Sequence, residues 1–469
     1  MLDAKIRLSN CLGVMYDGVL PRISQLKTMK LDRILDRTFR CACGQDHHVP
    51  VKGIFFSEDA LRKLPEFLAR HVQEQKVLLV SDIRTHEVAG REAEEILRSA
   101  DWSVEVVTLT DSEKGGPVCD DSTYQELLDQ ISDPPGVCIA VGTGVINDLV
   151  KWASFHLDRP YVVIATAASM NGFTSANVAP LINGIKSLVR ARAAIGVFAK
   201  PSVLANAPYR LTAAGLGDAL AKSVSVVDWE INHLLRDEHF CSFCAEIINE
   251  IEPIYFNHPE SILARSLEGI KAIFDALNYS GLAMTMIGSS APASGGEHLF
   301  SHTLDMMSLV DGVPHDLHGR QVGLGTIFAC ALYDRLLRVS RPRFCEMPDR
   351  IDRGFWGRLG ESLEIQYGNK LENISRIKER LSRPDTWDQL QQDIFVKVKS
   401  PALIAECLQR AGAARYLKDI GCGRERARQA ALHLHEIRAR FTVVDLAWMV
   451  GVLPEAADEI VDEWLLGDT

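Results

Sequence analysis

The feature that most constrains the fold is an alternation, in the first half of the chain, between short apolar runs and longer stretches with helical spacing. The apolar runs have the length of strands, and their continuous apolar character indicates burial on both faces. They lie at 76–82 (KVLLVSD), 103–109, 136–141 (GVCIAV) and 160–165 (PYVVIA), with helical stretches at 88–100 and 145–155. This order predicts βαβ units in a doubly wound parallel sheet, hence a Rossmann-like α/β domain.

Beyond about residue 211 the pattern changes to long helical stretches with few strand-like runs between them. These stretches lie at 213–235, 261–281, 323–337 and 402–466. The chain is long enough for two or three domains. We therefore expect an α/β domain over residues 1–205 and an all-helical domain over residues 206–469. The segment 341–369, rich in Arg, Pro and Gly, is interpreted as a surface excursion.

Charge and composition exclude several functional classes. The net charge of −11 argues against a broad nucleic-acid surface. No apolar run approaches the length of a membrane span, and residues 1–10 carry charges where a signal peptide would be apolar. The cysteines number eleven and are scattered, which fits reduced thiols in the cytoplasm. Cys41 and Cys43, followed by His47 and His48, suggest a metal site, but a single close Cys pair favours a loop.

A glycine-rich turn follows the third of these apolar runs. Gly142, Thr143 and Gly144 stand between a predicted strand and a predicted helix, where backbone N–H groups and a helix N-terminus can hold a pyrophosphate. A tight strand-to-helix turn without a ligand is the alternative, since the spacing departs from G-x-G-x-x-G. Asp82 ends an earlier run, where a carboxylate can accept bonds from a ribose hydroxyl and so favours NAD over NADP.

Histidines and aspartates beyond residue 211 suggest a metal site. His298 and His302 are four residues apart and share a helix face. Asp305 and the pair His315 and His318 follow closely, while Asp218 lies far upstream, where capping a helix is its alternative role. A carboxylate with two or three imidazoles suits Zn²⁺ or a similar divalent ion with an open position for substrate.

Taken together, several ordered segments resemble the glycerol-1-phosphate dehydrogenases, within the larger group of iron-containing alcohol dehydrogenases and dehydroquinate synthases. They are VGTGVINDLVKW, ATAASMNGFTS, AAGLGDALAKSVSVVDW, SGGEHLFSHTLD and LHGRQVGLGT, and they span most of the chain. The resemblance implies a nucleotide-binding first domain, a helical domain that binds metal and substrate, and a homodimer. It also implies NAD or NADP as cofactor, one divalent metal (zinc, or else nickel or iron) and a small phosphorylated polyol or its ketone as substrate.

The resemblance also assigns roles to individual residues. It implies that Asp218, His298 and His318 hold the metal and that His302 contacts the substrate or relays a proton. The cofactor would contact Asp82, Gly142, Thr143, Gly144, Asp148, Thr166, Ser169 and Ser175. Lys186 and Arg320 are candidate partners for a substrate phosphate, although a solvated surface position is the alternative for each.

Two segments depart from the family pattern: Val197-Phe198-Ala199-Lys200, where the family usually has an Ile-Asp-like pair, and the segment at the substrate. The family reads Ser-Met-Asp-Gly at the substrate, whereas this chain reads Ser169-Met170-Asn171-Gly172. Asn171 removes a negative charge and adds two donors, so the reaction class is retained while the substrate stays open. Two alternatives follow: an NAD-dependent cyclase or lyase of the dehydroquinate-synthase kind, and a non-catalytic descendant that binds metal and nucleotide. Net NADH consumption with a keto substrate separates the dehydrogenase from both.

Overall fold

The computed structural model describes residues 33–112, 115–182 and 185–467, so the predicted lack of a signal peptide at 1–10 lies outside the described residues. Its strands are β1 Arg37–Arg40, β2 Asp46–Val49, β3 Gly53–Phe56, β4 Lys76–Ser81, β5 Ser103–Thr108, β6 Val137–Gly142, β7 Tyr161–Ala165, β8 Asn177–Val178, β9 Leu181–Ile182, β10 Ile185–Lys186, β11 Val189–Arg190 and β12 Gly196–Ala199. Six of them form one sheet in the order β3-β12-β7-β6-β4-β5, and every neighbouring pair is parallel.

Helices cover this sheet in the first half of the chain. They are α1 Leu64–His71, α2 Ile83–Thr85, α3 Arg91–Ser99, α4 Asp121–Asp129, α5 Gly144–His156 and α6 Pro201–Asn206, with a π-turn at His86–Gly90 and a 3₁₀ turn at Ala60–Lys63. The central strands β6 and β7 are buried along their whole length. Burial on both faces explains why their sequences are continuous apolar runs rather than alternating ones.

The second half is helical. Its α-helices are α7 Tyr209–Leu220, α8 Lys222–Arg236, α9 Ser242–Asn249, α10 Glu252–Asn257, α11 Glu260–Leu263, α12 Leu267–Ile287, α13 Gly296–Asp311, α14 His318–Leu337, α15 Arg353–Trp356, α16 Gly360–Leu381, α17 Pro384–Gln389, α18 Pro401–Arg410, α19 Arg424–His433, α20 Val443–Met449 and α21 Ala457–Ile460. Shorter turns complete it: 3₁₀ at Gly357–Leu359, Phe395–Lys397, Leu417–Ile420 and Leu434–Glu436, and π at Leu390–Ile394 and Val461–Leu466.

The apolar core has two parts. A smaller cluster lies between one face of the sheet and the helices α1 and α3, and it includes Phe67, Leu97 and Phe198. The larger cluster starts on the opposite face and continues without interruption into the helical half. The sheet and the helices around α7, α12 and α14 therefore pack as neighbours, although the division at residues 205 and 206 stays a prediction.

The predicted α/β class and the helical second half are confirmed. The interpretation of 341–369 as a surface excursion is wrong, because Trp356, Leu359 and Tyr367 are each at most 2% exposed and lie within the core. Those three side chains belong to a helical stretch from α15 into α16 that packs inward. Among the described residues, none of the helices combines the length and apolar character needed to cross a membrane.

Glycines allow α7 to approach its neighbours closely. A Cβ at Gly215 would lie 2.0 Å from the carbonyl oxygen of Ala168, and one at Gly217 would lie 2.0 Å from that of Gly319. Either distance is far inside van der Waals contact, so only glycine fits at these positions. The two glycines therefore set Asp218, the next residue of α7, beside both the segment after β7 and the start of α14.

Candidate metal and cofactor site

Three helices bring the predicted metal ligands together. Asp218 lies on α7, His298 on the first turn of α13, and His318 is the first residue of α14. The ligand atoms of these three residues, hereafter the metal triad, all lie within 4.8 Å of one another. His298 Nε2 is 3.4 Å from Asp218 Oδ1, and both side chains are buried. One carboxylate and two imidazoles converge as a divalent-metal site requires.

Neighbouring side chains orient the two imidazoles. His298 Nδ1 lies 2.6 Å from Glu297 Oε1, and His318 Nδ1 lies 2.9 Å from Ser301 Oγ. A bond at Nδ1 fixes the ring and, in the neutral tautomer that donates from Nδ1, places the lone pair at Nε2. Glu297 is fully buried and also accepts a bond from Gly295 N. Sequence reasoning missed Glu297, and its only signal was an acid next to His298.

Charge compensates for the burial of the triad. Burial by itself raises the pKa of Asp218, but the charges of Lys222, His298 and His318 outweigh it and lower that pKa below its usual range. For His298, burial lowers the pKa, whereas Asp218 and Glu297 raise it overall. Lys222, missed from the sequence, lies 3.4 Å from Asp218 Oδ1 and donates to Ala293 O at 2.8 Å. A lone lysine in an apolar helix was the available signal.

Asn171 contacts the metal triad directly. Its backbone N–H donates to Asp218 Oδ2 at 2.9 Å, and its side-chain amide donates to Oδ1 at 3.1 Å. The position at which the resemblance implies an aspartate is therefore occupied here by an amide that donates to a carboxylate of the triad. The ring of His302 lies beside the triad, with centroids 5.4 Å from His318 and 5.9 Å from His298. Substrate contact by Asn171 and His302 stays a prediction.

Other candidate residues near the triad contact protein groups outside it. His315 Nδ1 lies 3.0 Å from Asp305 Oδ1, so this pair forms a separate contact outside the triad. Arg320 donates to Asp316 at 2.7 Å and to the carbonyl of Asp419, which gives its guanidinium structural partners rather than a free role in phosphate binding. The other phosphate candidate, Lys186, has a side chain that lies outside the described residues.

The glycine turn lies at the carboxyl edge of the sheet. Gly142 ends β6, Thr143 is extended, and Gly144 opens α5 with φ of +21°. Because β6 and β7 are parallel and Gly142 pairs with Ala165, the segment after β7 emerges at the same edge. The hydroxyl oxygens of Thr143 and Ser169 are accordingly 2.6 Å apart. Thr166 follows β7 directly, and its N–H donates to Gly142 O.

Asp82 caps a helix in this structure. It accepts a bond from Thr85 N at 2.7 Å, and Arg84 donates to its second oxygen at 2.7 Å. Asp82 is therefore the N-cap of α2, a position that aspartate commonly occupies. Its predicted contact with a ribose hydroxyl stays a prediction, and Arg84 places a cation at the same position.

Asp148 and Ser175, two of the predicted cofactor contacts, both lie beside a buried lysine. Lys151 is fully buried in α5 and donates to Gly172 O at 2.7 Å and to Ser175 Oγ at 3.3 Å. Asp148 lies 3.6 Å from Lys151 and accepts a bond from Ala179 N at 3.4 Å. These contacts fasten the segment after β7 to α5. Cofactor contact by Asp148 and Ser175 stays a prediction. Lys151 itself was missed from the sequence.

The chain resembles known proteins over most of its length. A profile of the family described as iron-containing alcohol dehydrogenase matches residues 55–208. The glycerol-1-phosphate dehydrogenase [NAD(P)+] of Geobacillus stearothermophilus is 29% identical over 416 residues, covering 88% of this chain and 96% of that protein. Its namesake from Geobacillus thermodenitrificans is 31% identical, covering 70% of this chain and 81% of that protein.

The fold has solved counterparts. An archaeal halo-thermophilic alcohol dehydrogenase from a Red Sea brine pool superimposes with a TM-score of 0.56 at 14% identity, covering 89% of this chain and 98% of that one. Identity at that level establishes the fold alone, while the sequence relatives establish the family. The chain therefore belongs to the glycerol-1-phosphate dehydrogenases, within the superfamily of iron-containing alcohol dehydrogenases.

Proposed function

We propose that this protein is a metal-dependent, NAD(P)-linked dehydrogenase that interconverts sn-glycerol 1-phosphate and dihydroxyacetone phosphate. The observation that carries the proposal is the juxtaposition of the metal triad with the edge of the sheet that bears the glycine turn. Asn171 connects the sheet edge to the triad, because it lies a few residues after the end of β7 and donates to Asp218. The relatives in Geobacillus are named for this activity and for both nicotinamide cofactors.

The residues of the triad fit a divalent cation. Their ligand atoms converge within 4.8 Å, and both imidazoles are oriented through Nδ1. Zn²⁺ suits this mixed oxygen and nitrogen set, and Ni²⁺ or Fe²⁺ are the other candidates. When bound, the metal supplies Lewis-acid polarisation of the oxygen at the reacting carbon. We assign Asp218, His298 and His318 as the residues that hold it.

The protein's own groups position the substrate and handle a proton. Asn171 keeps Asp218 aligned through two N–H donors, and its carbonyl oxygen is left to accept from a substrate hydroxyl. We assign to His302, which is partly exposed beside the triad, the exchange of a proton with the hydroxyl that becomes the ketone. The glycine turn and the first turn of α5 offer backbone N–H groups to the cofactor pyrophosphate.

The first experiment follows NADH and NADPH absorbance with zinc-loaded protein and dihydroxyacetone phosphate. We expect oxidation of the cofactor by the native protein. In the reverse direction, we expect oxidation of sn-glycerol 1-phosphate and not of its sn-3 enantiomer. His318→Ala should lose the metal of the triad and about 100-fold or more in kcat/KM, because loss of the groups that orient a ligand already costs about 10–100-fold.

His315→Ala is the matched control. It removes an imidazole three positions from His318, but one that binds Asp305 outside the triad, so metal content and kcat/KM should stay near those of the native protein. Equal loss in both variants would contradict the assignment of the triad. Bound metal and cofactor without net oxidation of NADH on either substrate would favour a cyclase or a non-catalytic protein.

Two further features complete the proposal. We infer a homodimer, by analogy with the bacterial relatives, and light scattering should then give twice the chain mass of 52.0 kDa. We also infer a cytoplasmic location, supported by the cysteines within the described residues, none of which forms a disulfide. Cell fractionation with detection of the native protein tests the location, and recovery outside the cytoplasm would refute it.

A further inference from the structure

A second cluster of metal-binding side chains lies away from the metal triad. We infer that Cys41, Cys43, His47 and Cys241, hereafter the thiol cluster, form a structural Zn²⁺ site. The ligand atoms of these four residues all lie within 4.8 Å of one another. The sequence favoured a plain loop here because only Cys41 and Cys43 are close in the chain. The structure adds Cys241, which completes a set of four.

The distances within the thiol cluster match the edges of a zinc tetrahedron. Zn–S and Zn–N bonds of about 2.3 and 2.0 Å imply S–S separations of about 3.8 Å and N–S separations of about 3.5 Å. The observed values are 3.7 Å between Cys41 Sγ and Cys241 Sγ, and 3.4 and 3.3 Å from His47 Nε2 to Cys43 Sγ and Cys241 Sγ. One ion at the centre would contact all four atoms without a large rearrangement.

A backbone carbonyl orients the imidazole of the cluster. His47 Nδ1 lies 3.1 Å from Met286 O, near the end of α12, while Nε2 faces the sulfur atoms. A carbonyl that accepts from one ring nitrogen while the other binds metal is the usual arrangement around zinc. His47 and Cys241 are fully buried. The imidazole of His47 is therefore removed from water, and its Nε2 is directed into the cluster.

The local fold explains why the ligands converge. The strands β1 and β2 form an antiparallel hairpin whose last pair is Arg40 with Asp46. The turn between them is closed by a bond from Cys41 N to Gln45 O, and Gly44 has φ of +85°, which glycine tolerates best. The hairpin thus carries three ligands, and the residue that precedes α9, Cys241, brings the fourth.

A disulfide is the competing interpretation of two neighbouring thiols. A Cys41–Cys241 bond would use two of the four groups and leave Cys43 and His47 without the partner that the geometry provides. A metal uses all four. Because all four ligands come from protein, no position is left for substrate, and such closed sites are structural. The ion would join the hairpin to α9 and to the end of α12, and this role does not depend on the proposed dehydrogenase activity.

The test measures metal content and the spectrum of the cobalt-substituted protein. We expect two divalent ions per chain in the fully loaded native protein and one in Cys43→Ser. In the Co²⁺ form, a thiolate-to-cobalt charge-transfer band should be present in the native protein and in His318→Ala, because the triad contains no sulfur. The band should be lost in Cys43→Ser and in His47→Ala.

His48→Ala is the matched control for His47→Ala. Its imidazole is the next in sequence but is exposed and bonds Thr38 at 3.0 Å, so the band and the metal count should be retained. Cys345→Ser removes an exposed thiol outside the cluster and should behave likewise. If Cys43→Ser does not fold, the native protein and His318→Ala still test the zinc site. Both should show the thiolate-to-cobalt band, and His318→Ala should bind one ion per chain.

Three results would overturn the inference. One is a native protein that binds a single ion which His318→Ala abolishes. Another is a cobalt spectrum without a thiolate band. The third is a thiol count of nine instead of eleven in protein denatured with chelator and without reductant, which would show a disulfide in place of a metal site.

Discussion

A single methyl group added at Gly217 should disturb both stability and metal binding. The Cβ of Gly217→Ala would lie 2.0 Å from Gly319 O, 3.0 Å from the carbonyl carbon of the same residue and 3.2 Å from Gly323 N. All three are backbone atoms of α14, so none can rotate away. Since carbon contacts optimally at about 3.5–4.0 Å, α7 and α14 must separate by an appreciable fraction of that distance.

The size of the effect follows from the type of contact. Overpacking in a well-packed core typically costs about 1–3 kcal/mol, and a contact between two backbones belongs at the upper end of this range. Gly217 precedes Asp218 and Gly319 follows His318, so the separation also moves two residues of the metal triad apart. A misplacement of about 1 Å can cost about 100-fold in rate. We expect losses in the unfolding free energy, the metal affinity and kcat/KM together.

Gly368→Ala provides the control for this prediction. Gly368 lies within α16, and a Cβ added there has no heavy atom within 4 Å. Alanine should therefore stabilise the helix by up to about 1 kcal/mol. Urea unfolding, metal analysis and steady-state kinetics on both variants provide the comparison. A Gly217→Ala protein with native stability, metal content and kcat/KM would refute the close approach of α7 and α14.

Three further predictions concern buried charge. Lys370 and Asp445 form an ion pair of 2.6 Å that is at most 1% exposed, so Lys370→Met should lower the unfolding free energy by about 3–5 kcal/mol; a double variant with Asp445→Leu should recover most of the loss in urea titrations. Burial and the charge of Lys370 hold the pKa of His435 well below its usual value. Below about pH 6.5 the unfolded chain therefore binds a proton at His435 that the folded chain does not, and the unfolding free energy should fall by up to about 1.4 kcal/mol per pH unit. His435→Phe should remove that part of the pH dependence. Asn171→Asp places a carboxylate about 3 Å from Asp218, so the metal-free variant should melt at a lower temperature than the native protein at neutral pH, and added Zn²⁺ should raise its melting temperature more; an equal response in both proteins would argue against this contact.

The sequence predicted four neighbouring strands of the sheet, β7, β6, β4 and β5, better than the two strands at the other end, β3 and β12. The runs that became β4, β5, β6 and β7 were long enough, and sufficiently apolar, to identify strands within one or two residues of their ends. The strands β3 and β12 are only four residues long, and a four-residue apolar run fits a buried helix as well as a strand. They pair with each other across more than a hundred residues of chain, which local periodicity cannot indicate.

The sequence named three candidate metal ligands but not the groups that contact them. Asp218, His298 and His318 were identified because their segments resemble a family in a fixed order. Lys222 and Glu297 are charged residues in the first turns of their helices, and nothing in their spacing distinguishes a buried partner from a solvated side chain. Cys241 illustrates the same limit, because the hairpin motif shows two cysteines and a histidine while the fourth ligand lies 200 residues beyond Cys41.

The two candidate metal sites are connected through one run of the chain. His47 binds Met286 O near the end of α12, and the segment 288–295 leads from there into α13, which carries Glu297 and His298. Within that segment, Ala293 O accepts the bond from Lys222 that offsets the buried charge of Asp218. A metal in the thiol cluster would therefore fix the point from which the ligand-bearing helix starts. The hairpin would then support the precision of the triad, although none of its residues contacts it.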